Sequence, residues 1–315
     1  DAISLSDASA IAAASASSAT VAYDLTGTFA SLLYTGGLAV SEVRSGGSSG
    51  SRTLTVGSIT VTNDVSLTQA DSVITWGANA SGTSDDATKT YTISDTYTAL
   101  AAASSTQKGA TGSVGLAGTV TATGNATVAE AAIVSEFSNL ANSGAYSIVD
   151  SAANIYTALN TNRSTNAGSG QNAPEKSDRH LITQASSVSV TSGTFASVQQ
   201  ALGDQNQTTD VDETRGLSSV SSITYSIKDT AANLITGLAR TDKAELTSAE
   251  AIYLSDTSTI SVANFNTFNT EFGSKFKQHE ASTGVFRYYL QDSVANFLNA
   301  GGTIVADAYG DLTIE

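Results

Sequence analysis

The chain contains no cysteine and no methionine, and Pro174 is its only proline. Without cysteine there is no disulfide framework, no thiolate metal site and no thiol nucleophile. Positive charge is scarce too. Fourteen Lys and Arg face 29 Asp and Glu over 315 residues, a net of −15 with His neutral. A surface of that sign argues against nucleic acid as a partner, because phosphate binding needs a basic face. No apolar run approaches the roughly 18 to 20 residues of a membrane helix. With 40 % hydrophobic and 14 % charged residues, the chain is too apolar and too weakly charged to be disordered throughout. Richness in Ser, Thr, Ala, Gly and Asn with little Lys points to a secreted bacterial surface protein. The first residue is Asp1 and no signal peptide is visible, which suits a processed chain or a fragment.

What is present is repetition. A ten-residue pattern reads YTISDTYTAL at 91–100, YSIVDSAANI at 146–155, YSIKDTAANL at 225–234 and YYLQDSVANF at 288–297, with a weaker copy, AISLSDASAI, at 2–11. The spacings of the four strong copies are 55, 79 and 63 residues, so the repeat carries insertions. Tyr146 and Ile148 alternate with Ser147 and Val149, which predicts a short strand. Asp150 comes next as a helix N-cap, and Ala152, Ala153, Ile155, Tyr156 and Leu159 supply a helical apolar face. The same reading makes Asp95, Asp229 and Asp292 structural caps rather than catalytic groups. A second pattern lies between these copies: a short strand, a polar turn and a short apolar helix, as in ITVTNDVSLTQADSVI at 59–74 and VTATGNATVAEAAIV at 120–134.

Units of this size cannot bury an apolar face alone and must stack on neighbours. The expected fold is therefore a β-rich repeat protein, a solenoid-like stack of strand plus short helix units, either α/β or β-solenoid. It would form one elongated array over 1–315, with polar insertions at 45–52, 77–89, 160–179 and 203–215 and a sub-boundary inside 160–187.

YSIxDTAANL together with TVAEAAIV resembles the repeats of very large secreted bacterial proteins. These are the S-layer-like, hemolysin-like and giant cell-surface proteins of proteobacteria and marine cyanobacteria. The resemblance implies an extracellular structural or adhesive protein, often exported by a type I route and often calcium-dependent. The glycine- and aspartate-rich calcium nonapeptide of such proteins is absent, so calcium is not carried over by the resemblance.

Chemistry-bearing residues are few. His180 and His279 lie far apart and lack HExxH spacing, which argues against a zinc site. Calcium needs six to eight oxygen ligands. The loop DQNQTTDVDE at 204–213 gathers Asp204, Asn206, Asp210, Asp212 and Glu213, which read as a calcium site or, more blandly, as a solvated acidic loop. Asp85 with Asp86 and Asp307 with Asp311 are thinner pairs. No GxSxG elbow accompanies the many serines, and the Gly-rich TGSVGLAG at 111–118 lacks a P-loop lysine and reads as turn chemistry. Phe265, Phe268, Phe272 and Phe276 recur at helical spacing, as a core face or as a face buried between subunits. Lys243, Arg240, Lys275, Lys277 and Arg287 make that region the least acidic.

The expected function is a non-enzymatic extracellular structural protein that self-assembles into a surface layer, sheath or filament. Its partners would be copies of itself, with cell-surface polysaccharide as a further candidate. Calcium is the one cofactor that the residues suggest, and nothing in the sequence requires it. The alternative is a stalk module of a giant secreted adhesin. A carbohydrate-active enzyme on a β-solenoid is disfavoured, because the strand positions read as Ser, Thr and apolar residues.

Overall fold

The computed structural model describes residues 2–4, 6–8, 10, 20–33, 53–76, 88–141, 146–160, 178–203, 216–221, 223–255, 259–277, 289–293, 295–296 and 312–314. The chain divides into two compact units: Asp1–Asn125 with Ile133–Ser143, and Ala126–Ala132 with Gly144–Glu315.

In the first unit, strands Ala2–Ile3, Thr20–Gly27, Thr53–Val61 and Thr88–Thr90 form one sheet in that order. Strand Thr92–Thr96 pairs with Thr119–Thr123 over its whole length, Ile93 opposite Val120 and Asp95 opposite Ala122. In the second unit, Ser147–Asp150 pairs with Ser187–Val190. Ile227–Asp229, Ile252–Leu254 and Phe276–Lys277 form a three-stranded sheet, and Thr259–Ile260, Tyr289–Asp292 and Leu312–Ile314 another. All these pairings are parallel. A parallel pair cannot be closed by a tight hairpin, so each strand leads into a crossover, and short helices occupy those crossovers.

Side-chain alternation explains the core. Ile59, Ile93, Ile148, Ile227 and Ile252 are fully buried, while Ser94, Ser147 and Lys228 beside them point away. The alternation lasts only a few residues before a Ser or Thr turns the chain into a helix. Ser66 opens helix Leu67–Thr75: its Oγ accepts from the Gln69 N–H, and Gln69 Oε1 accepts from the Ser66 N–H. The same reciprocal pair joins Ser197 to Gln200, Ser104 to Gln107 and Thr127 to Glu130. These helices bury Ala70, Val73, Ala131, Val134, Ala201 and Leu202.

The expected β-rich, solenoid-like stack is not what forms. The protein is mixed α/β: the strands are mostly two to five residues long, they fall into separate sheets of two to four strands, and helices supply much of the core. The physical reason is the capping signal. It turns the chain into helix after a few residues of strand, so helices share the core with the sheets and the fold is mixed α/β rather than β-rich.

The glycine-rich 111–118 segment holds a short helix, Ser113–Leu116. Gly112 lies so close to the preceding turn that a Cβ there would sit 2.0 Å from the Thr106 carbonyl oxygen. The glycine permits a backbone approach.

Buried tyrosines tie strands to carbonyls further along the chain. The Tyr91 hydroxyl donates to the Ser113 carbonyl (2.6 Å), that of Tyr146 to the Leu181 carbonyl (2.5 Å) and that of Tyr225 to the Glu245 carbonyl (3.2 Å). Burial pushes Tyr23 up to about 12, and raises Tyr91, with the Asp71 charge adding to it. Burial also raises Tyr97 and Tyr225. The folded chain thus holds these protons more tightly than the unfolded chain. Their stabilisation is complete below the unfolded value of 10.0 and is lost as pH rises through the folded values. Tyrosinate absorbance should therefore rise together with loss of circular dichroism, above the ordinary tyrosine range. Ionisation of all the tyrosines at the ordinary value with the dichroism intact would contradict their burial.

Candidate functional site

The repeated aspartates form the most regular polar arrangement in the protein. Each of the four sits one residue before a helix N-cap, not at it. Thr96 caps Tyr97–Ala101 and Thr230 caps Ala231–Leu238, each through its own hydroxyl. Ser151 and Ser293 accept in the same way from Asn154 and Asn296. The local capping role expected for Asp95, Asp150, Asp229 and Asp292 therefore belongs to the next residue.

The carboxylates do something longer in range. One oxygen, Oδ1, accepts from the backbone N–H of the following residue at 2.7–2.8 Å. In three copies it also accepts from an asparagine four residues on: Asn154 (2.8 Å), Asn233 (2.6 Å) and Asn296 (2.5 Å). The other oxygen reaches back to the first N–H of an earlier helix. Asp95 takes Leu67 (3.0 Å), Asp150 takes Val128 (3.0 Å), Asp229 takes Val198 (2.9 Å) and Asp292 takes Val262 (3.1 Å). Those N–H groups have no partner inside their own helix, and the negative charge also suits the positive helix end. The Asn296 amide and the Ser293 N–H hold the Asp292 carboxyl below its ordinary value; desolvation opposes this, and the Val262 N–H adds to it.

A fifth clasp carries no repeat signature. The N–H of Phe29, first residue of helix Phe29–Leu33, donates to Asn63 Oδ1 at 2.8 Å. Asn63 follows Val61 as Asp95 follows Ile93, but no tyrosine stands two residues before Val61 to reveal the motif.

A separate polar network involves Asp71. Its Oδ1 accepts from the buried Ser113 hydroxyl (2.6 Å) and its Oδ2 from Gln107 Nε2 (2.7 Å). It joins the helices Leu67–Thr75, Ser105–Lys108 and Ser113–Leu116.

The calcium candidates Asp204, Asn206, Asp210, Asp212 and Glu213 lie outside the described residues, as do Asp85, Asp86, Asp307, Asp311 and His279. His180 belongs to helix Asp178–Gln184. Among the described residues, no three His, Cys, Asp or Glu side chains come together as a metal site. Phe265, Phe268 and Phe272 are buried in the chain's own core, where Phe276 packs against Phe268 with ring centres 5.4 Å apart. No helix among the described residues is long and apolar enough to cross a membrane. No family model, no curated protein and no solved structure matches the chain.

Proposed function

We propose that this chain is a non-enzymatic structural protein of an extracellular assembly, a surface layer, sheath or filament, built by self-association. The observation that carries the reading is how the repeated carboxylates are used. Asp95, Asp150, Asp229 and Asp292 each have both oxygens occupied by backbone N–H groups. The one charged group that recurs in the ten-residue motif is thus consumed in holding backbone to backbone. Self-association of this kind uses a heterologous contact between copies, which propagates. A net charge of −15 keeps separate copies soluble until a cation or a matched patch brings them together.

Negative-stain electron microscopy of the purified chain, with and without about millimolar calcium, tests this. Regular sheets or filaments are the expected result. Their dependence on calcium would make Asp204 to Glu213 the first ligands to mutate. Dispersed particles in both conditions would overturn self-assembly and favour a stalk module of a larger adhesin.

A further inference from the structure

Thr127 belongs to two patterns at once. It opens the helix Val128–Ser135: its Oγ1 accepts from the Glu130 N–H (3.2 Å), and Glu130 Oε2 accepts from the Thr127 N–H (2.9 Å). It also closes the triplet Asn125-Ala126-Thr127, an asparagine, a residue other than proline and a hydroxyl residue. That triplet is the acceptor signal for N-linked glycosylation. It recurs at Asn79, Asn162 and Asn206, which lie outside the described residues.

The structure leaves Asn125 open. It is exposed, as are Thr123 and Gly124 before it. Gly124 has φ +79°, and a Cβ placed there would meet nothing within 4 Å. Ala126, the other residue of the strand Asn125–Ala126, is buried, so strand alternation turns the Asn125 side chain away from the core. No hydrogen bond ties the Asn125 amide to a described residue. Several other asparagines are committed. Asn63 accepts from Phe29, Asn139 donates to the Val114 and Ala117 carbonyls, and Asn154, Asn233 and Asn296 donate to the repeated aspartates.

We infer that Asn125 carries an N-linked glycan. The donor is a sugar held on a diphosphate. The Asn125 amide nitrogen bonds to the anomeric carbon, and the bond from that carbon to the diphosphate oxygen breaks. The diphosphate leaves with the electron pair, and the amide gives up one proton. A transferase of the cell reads Asn125 together with the Thr127 hydroxyl. Transfer precedes folding of this segment, because the folded cap holds the Thr127 oxygen against the Glu130 N–H. Folding then leaves the glycan in solvent beside the open Gly124 turn. A glycan there adds hydrophilic bulk to a chain that otherwise relies on its net charge of −15 for solubility. The inference rests on the extracellular reading above.

The test isolates the full chain from the cells that make it, records whether it lies outside or inside them, and maps its peptides by tandem mass spectrometry. The peptide containing Asn125 should be heavier by the mass of the sugar, with the addition on Asn125. Asn125→Gln and Thr127→Asn should both abolish the addition, and Thr127→Ser should keep it. Asparagine caps a helix at least as well as threonine, so Thr127→Asn removes the signal and keeps the cap. Its circular dichroism and urea midpoint should match those of the wild type, which separates loss of the signal from loss of the helix start. A bare Asn125 in chain recovered from outside the cell overturns the inference alone and leaves Thr127 as a cap. A glycan retained in Thr127→Asn overturns it as well, because the triplet would not direct the transfer. A bare chain recovered only from the cell interior overturns the extracellular reading and the inference together.

Discussion

Replacing Asp150 with alanine is expected to destabilise the protein by about 2–3 kcal/mol. Asp150 is 6 % exposed and receives three donors: the Val128 N–H, the Ser151 N–H and the Asn154 amide. Water can reach Asn154 and Ser151, which are exposed and half-exposed, but Val128 is buried. Its N–H would be left without an acceptor, and an unmade buried hydrogen bond costs far more than a made one contributes. Asp150→Asn should cost about half as much, because one oxygen remains and Asn63 already does this work at Phe29. Urea titration measures both, with the midpoint shifting and the slope unchanged. Hydrogen exchange at the Val128 amide reads the clasp itself: protected in the wild type and fast in the alanine variant. An alanine variant as stable as the wild type, with Val128 still protected, would mean that the clasp does not hold this helix.

Ile93→Ala is expected to cost more, about 2–5 kcal/mol. Ile93 has no exposed surface, pairs with Val120 in register and is bridged to Val65 on its other side. Truncation leaves a cavity between elements that cannot all close on it. Its neighbour Ser94 is half-exposed on the opposite face, and Ser94→Ala should stay within about 0.5 kcal/mol. Thermal or urea denaturation of the pair gives the comparison. Equal effects would mean that the face assignment of this strand is reversed.

The sequence makes some of this architecture legible and hides the rest for identifiable reasons. The alternation of Tyr146 and Ile148 with Ser147 and Val149 reports a strand with one buried face, and the structure has one at Ser147–Asp150. The helix after it is equally legible from Ala152, Ile155 and Leu159, all buried in helix Ala152–Asn160. Local rules also find an aspartate at a helix start, but they assign it to the wrong helix. Its second oxygen is committed to a backbone group 22 residues upstream, and no local pattern announces that partner. Extrapolating the strand spacing into one continuous stack fails for a related reason. Pattern gives the period of each strand and says little about where a cap ends it. The adjacency of Lys228, Tyr253 and Lys277 across three parallel strands is invisible for the opposite reason. Its members come from three strands spread over 50 positions, and only register makes them neighbours.

The direction of the clasps bears on how the chain acquires its shape. Every clasped helix start waits for a side chain that lies 22 to 34 residues later. A polypeptide leaving a ribosome or an export channel N-terminus first therefore emerges with its newest helix start still open. That start is locked only when the next strand arrives. Closing a 34-residue span costs little more entropy than closing a 22-residue one, so the waiting time is set by delivery of chain rather than by distance. Order advances in one direction, always one strand behind the point of emergence.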